Sequence, residues 1–154
     1  MKYFYVDLDG TLKTDVSFSG NSEKYIAFNN KKYFYQIRPY AKEFIEGLKT
    51  IGTVLLLTLS TKRYAEYFLE KIGVTNIVDE VYSRENISKL PKLLSYVLID
   101  NDAEVAVLKE KAILLAGGMF TKGETIVIPT YSGGEDGVLE KLLEEIKNKN
   151  EKIV

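Results

Sequence analysis

Three short apolar runs, each ending in a polar cluster, limit what this chain can fold into more than any other feature. Tyr3-Phe4-Tyr5-Val6 runs into Asp7, the run from Thr53 to Leu59 ends in the cluster Thr58/Ser60, and Tyr96-Val97-Leu98-Ile99 runs into Asp100-Asn101-Asp102. Unbroken apolar runs of this length read as strands buried on both faces, the habit of a parallel sheet. Between them lie segments of helical period. Ala41, Phe44, Ile45 and Leu48 recur at helical spacing after Pro39, which is expected at the first helical position, and Gly52 stands just past the end. Ser60 is the expected N-cap of a second helix that buries Tyr64, Phe68, Leu69 and Ile72 and stops at Gly73.

The remaining segments complete an alternating pattern. Residues 24–37 read as an aromatic-rich hairpin turning at Asn29-Asn30, part of an insertion at about 22–37. Residues 77–82 suggest a short strand and 86–94 a short helix interrupted near Pro91. Two more strands are expected near 111–116 and 124–128, before a last helix over 136–148. Strands alternating with helices predict an α/β fold: one domain over 1–154, with a mostly parallel central sheet covered on both faces. There is no room for a full cap domain, so the site is expected to be open.

In open parallel sheets, sites form beyond the carboxyl ends of the strands. The three polar clusters are therefore expected on one rim. Asp7-Leu8-Asp9-Gly10-Thr11-Leu12 places two carboxylates one residue apart at a strand end, ahead of a glycine turn. Such a pair is able to hold a magnesium ion and attack phosphorus, whereas Asp9-Gly10 taken alone is an ordinary turn signal.

Composition narrows the chemistry. The 154 residues include neither cysteine nor histidine. Disulfides, thiolate nucleophiles, Ser-His-Asp triads and histidine-held zinc are excluded, which leaves Asp, Glu, Lys and Tyr for proton transfer. Any metal is expected to be a hard, oxygen-binding cation. A net charge of −1 carries no electrostatic footprint for duplex nucleic acid. No apolar span reaches the roughly 18 residues of a membrane helix, and Asp7 interrupts the only N-terminal apolar run. A cytoplasmic location is the expectation.

The order of these motifs resembles the haloacid-dehalogenase-type (HAD) phosphatases, in particular the small C-terminal-domain phosphatase or NLI-interacting-factor-like branch. The first motif matches Asp7 to Leu12, and the hairpin running into an Arg-Pro helix matches Arg38-Pro39. The Thr-x-Ser motif matches Thr58-Leu59-Ser60 with Tyr64-Ala65 beyond it, and the closing Asp-Asn matches Asp100-Asn101. The chain departs from the branch at Gly10, where an acidic residue is usual. It also departs between Gly73 and Arg84, which is too short for the branch's extra substrate-contacting strands.

The resemblance implies a Rossmann-like HAD fold and a magnesium-dependent phosphomonoester hydrolase working through an aspartyl-phosphate. Asp7 is the implied nucleophile and Asp9 the implied acid and base. Mg2+ is implied on Asp7, the Asp9 carbonyl and Asn101. Asp100 either approaches the metal or orients a basic residue. Phosphate binding is expected from the Thr58 hydroxyl, Ser60, main-chain N–H groups near Leu8 and Leu59, and one cation. Arg84 is favoured for that cation, with Lys89 and Lys92 as alternatives. The expected partner is a phosphorylated substrate, either protein, small molecule, nucleotide or nucleic-acid end, with no membrane and a monomer or weak dimer in solution. A non-catalytic binding domain on the same fold is the remaining alternative.

Overall fold

A computed structural model describes residues 2–16, 25–28, 31–118 and 120–151. The core is a five-stranded parallel sheet in the order β6-β5-β1-β7-β8. Its strands are β1 (Lys2–Val6), β5 (Gly52–Leu57), β6 (Glu80–Tyr82), β7 (Ser95–Asp100) and β8 (Lys122–Val127). The three apolar runs are the three central strands. β1 pairs in parallel register with β5 on one side, Phe4 beside Val54, and with β7 on the other, Phe4 beside Val97.

Strand alternation sends residues to two cores. Phe4, Val6, Val54, Leu56 and Ile99 face α1 (Ala41–Lys49), α2 (Lys62–Ile72) and α4 (Val138–Glu151). Tyr5, Leu55, Leu57, Tyr96 and Leu98 face α3 (Ala103–Gly117) and the segment holding Leu90 and Leu93. Burial on both faces explains why no polar residue interrupts these runs before their carboxyl ends.

A second sheet in the order β2-β4-β3 is antiparallel and consists of β2 (Lys13–Val16), β3 (Tyr25–Phe28) and β4 (Lys31–Ile37). The expected hairpin is thus the outer part of a three-stranded sheet whose first strand continues directly from the Asp7 loop. The turn expected at Asn29-Asn30 lies outside the described residues, as do the ring positions of Tyr25, Phe28 and Tyr33. Tyr35 turns inward, packing edge-on against Phe68 at 4.8 Å between ring centroids.

Three expectations are corrected. Residues 111–116 are not a strand but the second half of α3. That helix is capped by Asp102, whose carboxylate accepts from the N–H groups of Glu104 and Val105. Its apolar residues run all round the barrel, leaving Leu108 and Leu115 outside, so no helical period marks it. Pro39 precedes α1 rather than opening it; Tyr40, left-handed at φ 71°, turns the chain, and the helix starts at Ala41. Thr61, not Ser60, caps α2, because the Ser60 hydroxyl already bonds Thr58 Oγ1 at 2.7 Å. Among the described residues no helix is long and apolar enough to cross a membrane.

Candidate active site

β1 lies between β5 and β7, so Asp7, Thr58 and Asp100 emerge side by side at one rim, on strands about 4.8 Å apart. Together with Asp9, Leu59, Ser60, Asn101, Asp102 and Val105 they line an open cavity of about 190 Å³. This is also the point where the chain, having built outward through β5 and β6, crosses to the other side of β1 to begin β7.

The loop after β1 is closed by its own backbone. Leu8 O accepts from Leu12 N–H at 2.9 Å, and Gly10 N–H donates to Lys13 O at 2.7 Å. Gly10 is left-handed at φ +83°, and a Cβ there would stand 2.3 Å from Asn101 Nδ2. A side chain at this position would displace Asn101 in this chain. Arg38, wholly buried, ties the loop down from β4. Its guanidinium donates to the carbonyls of Gly10 and Thr11 at 3.3 Å and of Pro129 at 2.9 Å, and pairs with Asp136 at 3.1 Å.

Asp7 is buried with both oxygens engaged. Oδ1 accepts from Lys109 Nζ at 2.7 Å and Oδ2 from Thr11 Oγ1 at 3.0 Å. Lys109, also wholly buried, donates as well to Asp100 Oδ2 at 2.6 Å, while Asp100 Oδ1 takes the Asp102 N–H at 3.0 Å. Burial, with Asp100 adding to it, raises the Asp7 carboxyl to about 6 against the opposing pull of Lys109 and Thr11. Two carboxylates facing one ammonium leave one negative charge in excess. Buried charge of this kind calls for a further cation.

The Asn101 amide marks where that cation fits. With its nitrogen turned inward it donates to Asp7 Oδ2 and to Asp9 O, each at 2.8 Å. With its oxygen inward and its nitrogen on Thr130 Oγ1 at 3.1 Å, the Asn101, Asp7 and Asp9 oxygens converge, and the Thr11 hydroxyl lies near two of them, 3.0 Å from Asp7 Oδ2 and 3.3 Å from Asn101 Oδ1. The 2.8 Å spacing is close to the edge, about 2.9 Å, of an octahedron with metal–oxygen bonds of about 2.05 Å. One carboxylate, one carbonyl and one amide oxygen are a hard, sparse donor set of the kind magnesium accepts while keeping water. Among the described residues no cluster of three or more carboxylate side chains offers a cage for a metal.

Asp9 is half exposed and held on one side. Its Oδ1 takes Lys13 Nζ at 2.7 Å and the Tyr64 hydroxyl at 2.9 Å. Burial, reinforced by Asp9 and Asp15, pushes the Tyr64 phenol well above its usual range, so it remains a donor. Across the cavity, Thr58 Oγ1 accepts from Ser60 N–H at 3.2 Å, and Leu59 forms part of the mouth. The N–H groups of Leu8 and Leu59 have no acceptor among the described residues.

A family model, that of the NLI interacting factor-like phosphatases, matches residues 3–152. The chain belongs to this family. Solved structures that share its fold include two of Fcp1. One is the fission yeast RNA polymerase II CTD phosphatase Fcp1, an arginine-to-alanine variant bound to beryllium fluoride. It has a TM-score of 0.56 and 16% identity, covering 96% of this chain and 50% of that one. The other, described as the structure of Fcp1, an essential RNA polymerase II CTD phosphatase, has a TM-score of 0.57 and 17% identity, covering 94% and 48%. The chain therefore spans about half the length of these structures. No curated protein matches it.

In this member of the NLI interacting factor-like phosphatase family, the structure brings Asp7, Asp9, Thr58, Ser60, Asp100 and Asn101 to one cavity. It does not bring the expected cations there. Arg84 is on the correct rim, its N–H donating to Ser60 O at 3.2 Å, but its side chain is exposed and does not line the cavity. Lys92 is exposed and belongs to the segment entering β7, where Leu94 O meets Lys122 N–H, at the opposite end of the sheet. Lys89 ends a short 3₁₀ turn, Ile87–Lys89, and is also exposed.

The cation in contact with Asp7 and Asp100 is Lys109, buried behind the cavity lining, and sequence reasoning missed it. In the folded chain it lies three residues after Ala106 and four before Ile113, both buried, on one stripe of α3 that the exposed Val107, Leu108, Leu114 and Leu115 obscure in the sequence. Reading 111–116 as a strand concealed that stripe. Asp100 is arranged to orient Lys109, since the ammonium and the Asp102 N–H engage both its oxygens.

Proposed function

We propose that the chain is a magnesium-dependent phosphomonoester hydrolase that forms an aspartyl-phosphate on Asp7. One observation carries this reading: Lys109 holds Asp7 Oδ1 while Asp7 Oδ2 converges with the Asp9 carbonyl and the Asn101 amide. The two oxygens of one carboxylate thereby take different duties. Magnesium, held by Asp7, the Asp9 carbonyl and Asn101, would neutralise charge on the phosphoryl oxygens and on Asp7.

Asp7 Oδ1 attacks phosphorus in line; the bond from phosphorus to the ester oxygen breaks, and its electron pair leaves with that oxygen. Protonated Asp9 gives its proton to the departing oxygen. In the second half, Asp9 as carboxylate takes a proton from water, whose oxygen attacks phosphorus. The bond to Asp7 then breaks, its electrons returning to the carboxylate. Thr58, the N–H groups of Leu8 and Leu59, and the Lys109 ammonium are the donors for the equatorial oxygens. The beryllium fluoride bound to Fcp1, a relative in fold, supports a site that accepts phosphoryl mimics.

A phosphoprotein is the favoured substrate class. Among the described residues nothing caps the cavity, and Tyr64, which bonds Asp9, also lines a broad groove of about 1120 Å³ beside α2 and the edge strand β6, together with Arg63, Tyr67, Glu66 and Glu80. A single small phosphate ester has no use for a trough of that size. The test is hydrolysis of an aryl phosphate with and without magnesium, in the parent and in Asp7→Asn, followed by phosphopeptides, mononucleotides and phosphorylated oligonucleotides. Turnover that survives in Asp7→Asn overturns the mechanism; preference for a mononucleotide overturns the substrate class.

A further inference from the structure

The loop between β1 and β2 buries a second lysine that the reaction described above leaves without a task. Lys13 is wholly buried; its ammonium donates to Asp15 Oδ1 at 2.8 Å and to the Tyr64 hydroxyl, and forms an ion pair with Asp9 Oδ1 at 2.7 Å. It also stands over the Phe68 ring at 4.2 Å from the centroid. Tyr64 accepts from Lys13 and donates to the same Asp9 oxygen at 2.9 Å, closing a three-membered ring of polar contacts. Both contacts fall on Oδ1, and Asp9 Oδ2 takes no partner among the described residues.

A buried ion pair of this kind is poor value as a stabiliser, since an apolar side chain of similar volume usually does as well or better. Its effect is geometric. A short aspartate side chain that is half exposed would otherwise turn freely between rotamers. An ion pair and a hydrogen bond on one oxygen oppose that rotation and leave the second oxygen unengaged on a residue that lines the cavity. The anchors come from separate elements: Lys13 is the first residue of β2, and Tyr64 belongs to the first turn of α2.

We propose that Lys13 and Tyr64 are positioning residues that pin Asp9 Oδ1, so that Oδ2 alone passes the proton to the leaving oxygen. This rests on the assignment of Asp9 as acid and base. The proton goes from Oδ2 to the ester oxygen as that oxygen takes the electron pair of its bond to phosphorus, so the need for aim grows as the leaving group becomes more basic.

The experiment compares kcat/KM, which reports phosphoryl transfer to Asp7, across phosphate esters from dinitrophenyl through phenyl to alkyl. The parent, Tyr64→Phe, Lys13→Met and Asp9→Asn are measured with saturating magnesium. Tyr64→Phe removes one oxygen and keeps the ring, so it serves even where Lys13→Met folds poorly. The expected result is a loss of about 10-fold to 100-fold on phenyl and alkyl phosphates in both positioning variants, part of the 10²–10⁴-fold due to a placed general acid. On dinitrophenyl phosphate the expected loss is below about 3-fold, because that leaving group needs little proton donation. A loss equal on all esters, or none, in both positioning variants while Asp9→Asn is steep overturns this proposal alone. A flat response in Asp9→Asn overturns the acid-base assignment and this proposal with it.

Discussion

Lys109 donates to Asp7 Oδ1 across 2.7 Å from the middle of a helix 102 residues further along the chain. The same ammonium bonds Asp100, so one side chain joins the ends of two adjacent strands. Lys109→Met should lower kcat/KM on an aryl phosphate by about 10²–10³-fold, the cost of losing one preorganised donor to the transition state. It should also destabilise the fold by ~3–5 kcal/mol, since two buried carboxylates lose their counter-charge. Arg84→Ala and Lys92→Ala should stay within about 3-fold of the parent in activity, as expected of exposed surface positions. Steady-state kinetics and thermal melting check both; collapse of activity in Arg84→Ala would return the phosphate cation to the rim.

Asp7 gives a pH dependence with a definite sign. Burial holds its carboxyl at about 6, above the about 3.9 of an unfolded chain. After chelation of magnesium, the folded protein keeps a proton there that the unfolded chain has released. That contribution to stability is complete below about pH 4 and lost as pH rises through about 6. Asp7→Asn, which carries no charge, should therefore be more stable than the chelated parent at neutral pH by on the order of 1–3 kcal/mol, while inactive. Melting curves at several pH values decide it; a destabilised Asp7→Asn would show that Lys109 outweighs burial.

Gly10 should not tolerate a side chain. Gly10→Ala combines a left-handed backbone, costing ~1–2 kcal/mol, with a Cβ at 2.3 Å from the Asn101 amide. Because Asn101 is displaced, the magnesium requirement should rise as well as the melting temperature fall. Titrating activity against magnesium distinguishes this from simple destabilisation, which leaves the metal midpoint unchanged.

Metal substitution tests the oxygen triad directly. Calcium prefers more ligands and longer bonds, and should inhibit by drawing both Asp7 oxygens to itself, leaving none to attack. Beryllium or aluminium fluoride should bind only with magnesium present, and Asn101→Ala should weaken both. Calorimetric titration of the fluoride with and without magnesium checks this; activity that survives exhaustive chelation would contradict the reading.

Much of the architecture was written locally. Runs such as Val54 to Leu57 are buried on both faces, and burial on both faces suppresses every polar residue until the strand ends. Asp7, Thr58 and Asp100 were legible for that reason, as was the rim they share, because parallel strands all end on the same side. Gly73, which ends α2 in the left-handed region, was legible for its backbone alone. What the sequence could not determine was which charged side chains face inward. α3 has apolar residues on every side, interrupted by Glu104, Lys109, Glu110 and Lys111, so no single apolar stripe stood out, and packing against β7 turned Lys109 rather than Lys111 toward Asp7. Lys13 follows the motif as if it were solvent-facing, and its burial depends on Tyr64 and Phe68 arriving from a distant helix. A lysine in a sequence looks alike exposed or buried; its environment is made by segments remote in the chain, and that is decided only when they pack.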